Sequence, residues 1–174
     1  RSAFEEVIAQ GPEQGNGVMA RLGLAELALL RGGAESALAS AETAKAQEIL
    51  AERYQVAADV WSVTSYQELY RDGHAIERWN RLHPGEKPRV PYVTQCLGST
   101  EGVFVAASDY VKVLPDSIDR WLPRPLTSLG TDGFGRSENR TALRDFFEVD
   151  AKSIVIATLA ALALKVASRF RRLG

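Results

Sequence analysis

A glycine-rich segment near the C-terminal end carries the residues whose types and spacing could do chemistry. A loop of this kind between a strand and a helix can bring backbone amides to a nucleotide phosphate at the start of the helix. Its glycine order, G-x-x-G-x-G, is however the reverse of the dinucleotide-binding fingerprint, and no strand–helix–strand unit with an acidic residue follows it. The residues of this segment, which we call the glycine motif, are Gly130, Asp132, Gly133, Phe134, Gly135, Arg136 and Ser137.

A structural interpretation of the glycine motif is therefore favoured over phosphate binding. In that interpretation the glycines permit tight backbone turns, Phe134 anchors the loop in a core or inter-domain contact, and Ser137 caps the next helix. The sequence leaves open whether Asp132 and Arg136 pair with each other or with a neighbouring domain. We accordingly predict a structural or interface role for the motif, and no catalytic, cofactor-binding or metal-binding residue in this chain.

The two histidines and the single cysteine are weaker candidates. His74 and His83 lie nine residues apart with Glu77 between them, which loosely suggests a metal site or a general base. They lack the i, i+4 spacing of a helical ligand pair, so a loop or interface role is favoured. No basic cluster near Cys96 in the sequence would stabilise a thiolate, so a buried structural thiol is favoured over a nucleophile.

Composition narrows the classes of function. Hydrophobic residues make up 45% of the chain and charged residues 25%, which is typical of a soluble globular domain. The net charge of -1 gives no basic field, so we expect no nucleic-acid partner. The longest apolar run, 154–164, is too short to cross a bilayer, so we expect no membrane association. Cys96 alone cannot form an internal disulfide, which suits a cytoplasmic protein.

Strands and helices are predicted to alternate, which favours a three-layer α/β fold with a mostly parallel sheet flanked by helices. Residues 58–64, 102–108 and 126–130 form the predicted strands. A leucine- and alanine-rich stretch ending at 31–33 is predicted to be a helix. Later helices are predicted over 42–54 and 92–97. Four more are predicted to begin at the N-caps Ser65, Asp116, Ser137 and Asp150, and the one after Ser65 is predicted to bend at Gly73.

Several unrelated segments resemble one family in the same order and spacing. They are Asp-Val-Trp-Ser-Val-Thr-Ser at 59–65, Glu-Arg-Trp-Asn at 77–80 with Leu-His-Pro at 82–84, Pro-Tyr-Val at 91–93, the glycine motif, and Phe-Glu-Val-Asp-Ala at 147–151. Together they resemble the third, C-terminal domain of the homodimeric pyruvate dehydrogenase E1 component. More distantly, the chain is similar to the transketolase C-terminal domain, which shares a Gly-x-Asp-x-Phe-Gly-x-Ser core. The resemblance covers about 45–163, which we take as the domain, between a divergent leader at 1–44 and a basic tail at 164–174.

The resemblance implies an enzyme that uses thiamine diphosphate and Mg²⁺ to decarboxylate pyruvate and passes the acetyl group to the lipoyl arm of the E2 acyltransferase. It places the cofactor between the first domain of one subunit and the second domain of its partner. The expected partners are therefore the other E1 domains, a second E1 subunit and lipoyl-E2, and this chain alone is expected to be inactive. Two alternatives stay open: a stand-alone regulatory or scaffold module, and a small nucleotide-binding protein.

Both ends depart from the family pattern. Before 45, the Leu-Leu-Arg-Gly-Gly of 29–33 only poorly imitates the family's Leu-Gly-Ser-Gly-like turn, so the sequence does not predict the family's first strand. After Ala163, Leu-Lys-Val replaces an expected Arg-Glu-Gly-like helix end. A single-base deletion would produce that change, so we hypothesise a frameshift there. Reading the neighbouring frame of the coding DNA tests the hypothesis.

Overall fold

Strand and helix alternate along the chain in the computed structural model, which describes residues 24–29 and 34–170. The strands are β1 (Leu24–Leu29), β2 (Ala58–Val63), β3 (Phe104–Val111) and β4 (Leu126–Thr131). The helices are α1 (Ala34–Tyr54), α2 (Tyr66–Leu82), α3 (Tyr92–Leu97), α4 (Val113–Asp116), α5 (Arg140–Phe146) and α6 (Ala151–Phe170), with a 3₁₀ turn at Asp119–Trp121. None of the helices in these ranges is long and apolar enough to cross a membrane.

The four strands form one sheet in the order β2-β1-β3-β4, and every neighbouring pair is parallel. Alternate residues of β3 enter different cores: Phe104 and Ala106 pack into one cluster, and Ala107 packs into the other. Because successive side chains of a strand point to opposite faces, helices cover the sheet on both faces. The predicted three-layer α/β fold with a parallel sheet is therefore confirmed.

The prediction of a helix in the leucine- and alanine-rich stretch is wrong over Leu24–Leu29, which forms β1. This strand occupies a central position, because it pairs with β2 from Leu24↔Ala58 and with β3 from Ala25↔Phe104. In its sequence LAELAL, the residues Leu24, Leu27 and Ala28 recur at helical spacing, so the local pattern does not identify a strand. Pairing on both sides outweighs the helix propensity of alanine and leucine. The remainder of the predicted helix, 30–33 included, lies outside the described residues.

Two of the predicted helix caps are confirmed and two are wrong. The Ser65 hydroxyl accepts a hydrogen bond from the Glu68 amide at 3.2 Å, and Asp150 Oδ1 accepts one from the Ser153 amide at 2.8 Å. Asp116 instead ends α4, whereas Asn139, not Ser137, caps α5 by accepting from the Ala142 amide at 2.9 Å. Asparagine is as good an N-cap as serine, so the sequence could not rank the two positions.

The predicted bend at Gly73 is wrong, because α2 runs unbroken from Tyr66 to Leu82. Gly73 is needed for packing: a Cβ added there would lie 2.5 Å from the ring of Trp121. That ring is buried, and its Nε1 donates a hydrogen bond to Glu77 Oε1 at 2.8 Å. The bare helix surface at Gly73 therefore lets the 3₁₀ turn pack closely against α2.

Each face of the sheet has its own apolar core. The first core includes α2 and α3, and Cys96 packs against it as a half-buried thiol. Its buried members are Val63, Tyr66, Leu69, Val93, Leu97, Phe104, Ala106, Ile118, Trp121 and Leu122. The second core joins α1 to α6 and includes Ala46, Leu50, Val103, Ala107, Ala151, Ile154, Val155 and Leu162. In α6, Ile154, Val155 and Leu162 are buried in this core, and Leu159 is partly buried.

Candidate interface site at the carboxyl edge of the sheet

The glycine motif lies at the carboxyl edge of the sheet, where β4 ends and the chain leads to α5. Gly130, in β4, has no room for a side chain, because a Cβ there would lie 2.6 Å from the carbonyl oxygen of Tyr110. Gly133 has φ +76°, a left-handed conformation that L side chains rarely adopt. At Gly135 no heavy atom lies within 4 Å of an added Cβ, so packing does not require glycine there.

The two charged residues of the motif have separate partners. Asp132 Oδ2 lies 3.8 Å from the ammonium nitrogen of Lys112, which follows β3. The guanidinium carbon of Arg136 lies 3.9 Å from the centre of the Phe146 ring in α5. The amide of Lys112 also donates to the carbonyl of Thr131 at 3.1 Å. These contacts hold the motif against the end of β3 on one side and against α5 on the other.

Phe134 is 98% exposed, so a role as an anchor in the core of this chain is excluded. The sequence predicted an anchor in a core or in an inter-domain contact, because large aromatic side chains are usually packed. The tertiary structure leaves the loop beyond both cores. The second alternative, an inter-domain contact, stays a prediction.

An open cavity of about 450 Å³ lies between the motif and α5. Gly135, Arg136 and Glu138 line it from the loop, Arg140 and Arg144 line it from α5, and Asp109 lines it from β3. Arg144 is committed to internal contacts, since its Nη2 lies 3.3 Å from Asp109 Oδ2 and its Nη1 3.7 Å from Glu42 Oε1. Part of the positive charge at the cavity is therefore already neutralised.

The Arg144 ion pairs belong to a partly buried network that sequence reasoning missed. The Arg144 side chain is 13% exposed, and Glu42 comes from α1, about a hundred positions earlier in the chain. Glu42 Oε2 also accepts a hydrogen bond from the Ala151 amide at the start of α6, at 3.1 Å. Glu42 therefore links α1, α5 and α6. No local pattern could have found it, because the partners are distant in sequence and each is an ordinary surface residue type.

Asp150, the cap of α6, lies beside this network and has a lowered pKa. Partial burial, the largest single influence, acts to raise the pKa, but hydrogen bonds from the side chain and amide of Ser153 and the charge of Lys152 together lower it. The charged carboxylate also lies at the positive end of the α6 dipole. The negative charge thus stabilises the start of the helix.

The predicted candidates His74, His83 and Cys96 do not form a site. His74 contacts the rings of Tyr70 and Trp121, and His83 stacks on Trp79 while its Nδ1 lies 2.8 Å from the Trp79 carbonyl oxygen. Across 24–29 and 34–170, no group of three or more His, Cys, Asp or Glu side chains could hold a metal ion. The described residues therefore do not fit the Mg²⁺ of a thiamine diphosphate site.

Comparison with protein families identifies the fold. The family model of the "Transketolase-like TK C-terminal domain" matches residues 20–150, a range that includes β1. This chain belongs to that family. A solved "Split gene transketolase, inactive beta4 tetramer" is similar in fold, with a TM-score of 0.52 at 18% identity over 83% of this chain and 41% of that one. At this identity the likeness supports the fold alone, which agrees with the parallel sheet.

Comparison with individual proteins confirms the predicted resemblance. The chain is 51% identical over 123 residues to the pyruvate dehydrogenase E1 component of Pseudomonas aeruginosa, a match over 70% of this chain and 14% of that protein. It is 50% identical over 120 residues to the E1 component of Escherichia coli K12, a match over 68% of this chain and 13% of that protein. The chain is 45% identical over 128 residues to the E1 component of Mycolicibacterium smegmatis, a match over 74% of this chain and 14% of that protein. The matches thus span only about a seventh of these relatives.

Proposed function

We propose that this chain is the C-terminal structural and dimerisation domain of a pyruvate dehydrogenase E1 subunit. The observation that carries the proposal is the 51% identity over 123 residues to such a component, within a family of transketolase-like C-terminal domains. In the parent enzyme, thiamine diphosphate and Mg²⁺ would supply the decarboxylation of pyruvate, and the acetyl group would pass to lipoyl-E2. This domain would contribute packing area and no reacting group.

The internal use of its polar side chains supports a structural role. Glu77 accepts from Trp121 Nε1 and pairs with Arg120 at 3.0 Å. Arg144 pairs with Asp109 and Glu42. Groups of these types do acid–base or electrostatic work only when they can reach a reacting atom. Here they hold α2 against the 3₁₀ turn, and α5 against α1 and β3.

A chimera tests the proposal directly. The matching segment of the Pseudomonas aeruginosa E1 component would be replaced by that of this chain, and pyruvate-dependent reduction of an artificial acceptor would be measured with thiamine diphosphate and Mg²⁺. We expect turnover and dimer assembly comparable to the unaltered enzyme. A well-folded chimera that neither dimerises nor turns over pyruvate would contradict the proposal.

The 174-residue chain by itself provides the complementary measurement. Given the same cofactors and pyruvate, it should release no CO₂ above a blank, because its polar groups are used in packing. Measurable turnover would show a reacting group in this domain. Reading the DNA upstream for thiamine-binding domains separates the E1 subunit from a stand-alone regulatory or scaffold module.

A small nucleotide-binding protein is the second candidate, and the cavity beside the glycine motif favours it. Arg136 and Arg140 line that 450 Å³ space together with Gly135. Glu138 lies on the same wall, and Arg136 already stacks on Phe146. Calorimetry with ATP and ADP at millimolar concentration is decisive, since the absence of binding heat eliminates this candidate.

A further inference from the structure

Exposed apolar side chains gather at the carboxyl edge of the sheet. We call this set the edge patch. Phe134 is the most exposed large hydrophobic residue of those described, at 98%, and Val113 follows it in the patch at 65%. The members of the edge patch are Tyr110, Val111, Val113, Phe134 and Phe146.

Three chain segments bring these side chains to one edge. Val111 at the end of β3 is in register with Thr131 at the end of β4, so Tyr110 and Val113 lie beside the loop that carries Phe134. The Lys112–Asp132 ion pair joins the same two segments. On the other side of the loop, Arg136 lies over the Phe146 ring at 3.9 Å. These contacts place the members of the edge patch around one loop, with charged residues among them.

The size of the patch indicates a covered surface. With three aromatic rings at least half exposed and two valines, it offers on the order of 500 Å² of apolar area. That is near the upper end of the largest apolar patch on a typical monomer, roughly 300–600 Å², where such patches often bind something. Leaving a phenylalanine almost fully in water gains none of the free energy that burial of such a ring provides.

We propose that the edge patch is an inter-domain contact covered by the rest of the E1 subunit, with Phe134 as its central anchor. This inference rests on the proposed function. Most of each relative lies outside the matched segment, which is 14% of the Pseudomonas aeruginosa protein. An apolar area on the order of 500 Å² suits a contact between domains that the chain already tethers, where interfaces measure roughly 600–1,500 Å².

Hydroxyl-radical labelling read by mass spectrometry tests burial of Phe134 directly. In the isolated chain Phe134 and Leu82 should both be labelled, because Leu82 is 56% exposed. Leu82 ends the helix that follows β2, so it lies at the opposite edge of the sheet and serves as the matched control. In the active chimera, labelling of Phe134 should fall severalfold while labelling of Leu82 stays unchanged.

Substitutions provide the second measurement. Phe134→Ser should lower the thermal midpoint of the chimera by several degrees and leave that of the isolated chain almost unchanged. Leu82→Ser should have an equally small effect on both proteins. A Phe134→Leu variant should restore most of the chimera's midpoint, since it keeps an apolar anchor.

The possible outcomes separate the two proposals. An active chimera in which Phe134 is labelled as fast as in the isolated chain overturns the inter-domain contact and leaves the proposed function intact. Loss of Phe134 labelling in the isolated chain as its concentration rises would assign the patch to a second copy, which also overturns the inference. A folded chimera that neither assembles nor turns over pyruvate overturns both proposals.

Discussion

Trp121 and Phe134 are both large aromatic residues in segments that follow a strand, yet one is buried and the other is exposed. Trp121 is 6% exposed and touches α2 at Gly73, with its ring nitrogen bonded to Glu77. Phe134 is 98% exposed, on a loop held only at its sides. The first core is closed within the chain, whereas the carboxyl edge has apolar side chains that nothing in the described part covers.

The comparison shows that a motif's specificity and its contribution to stability are separate properties. The glycine motif is one of the segments that carry the family resemblance, but its aromatic ring adds nothing to either core. The 3₁₀ turn containing Trp121 lies outside those segments and completes a core. The following predictions test this contrast by unfolding the 174-residue chain in urea.

Trp121→Ala should have the largest effect. Removing a buried tryptophan leaves a cavity beside α2 and removes one hydrogen bond to Glu77, and such changes cost about 3–5 kcal/mol of unfolding free energy. Trp121→Phe, which fills most of the space but cannot donate to Glu77, should cost clearly less. If the alanine variant lost under about 1 kcal/mol, the contrast between a closed core and an open edge would fail.

Gly73→Ala should destabilise although alanine is the better helix former. An added Cβ would lie 2.5 Å from the Trp121 ring, and forcing an extra methyl into a packed core costs about 1–3 kcal/mol. The helix propensity of alanine would offset up to about 1 kcal/mol of that. Gly85→Ala is the control, because an added Cβ there meets no heavy atom within 4 Å. A stabilised Gly73 variant would mean that α2 and the turn are less tightly packed.

Asp150→Ala should cost about 1 kcal/mol at neutral pH by removing the cap of α6. The folded-state pKa of Asp150 is lowered, so its charge stabilises the folded state fully above the unfolded-state pKa of about 3.9. This stabilisation is lost as the pH falls through the folded-state pKa. Asp150→Asn keeps the cap without this titration. Urea midpoints at pH 7 and at pH 3 should therefore differ less in both variants than in the unaltered chain.

Phe134→Ala should have the smallest effect, within about 0.5 kcal/mol, because the ring is almost fully exposed. The difference in unfolding free energy between Phe134→Ala and Trp121→Ala measures the contrast between the two regions. A loss of 2 kcal/mol or more, about that of a buried ring, would show that the loop folds back onto a core. A change near zero agrees with a surface that another domain covers.

Sequence patterns predicted the later strands and most helices because their signals are local. β2 and β4 carry β-branched residues, and β3 is a continuous apolar run, so each strand was recognisable within a few residues. The Ser65 and Asp150 caps followed from one polar side chain before an amphipathic or apolar helix. The β1 strand was missed because its alanines and leucines favour helix until neighbouring strands pair with it.

By itself the sequence determined the family, the alternation of strand and helix, and the absence of a recognisable catalytic motif. These properties depend on residue type and order, and local propensity and family resemblance follow directly from both. Only the tertiary structure decided that Glu42 meets Arg144, that Gly73 makes room for Trp121, and that Phe134 lies outside both cores. The reason is physical: burial and ion pairing depend on which distant segments the sheet brings together.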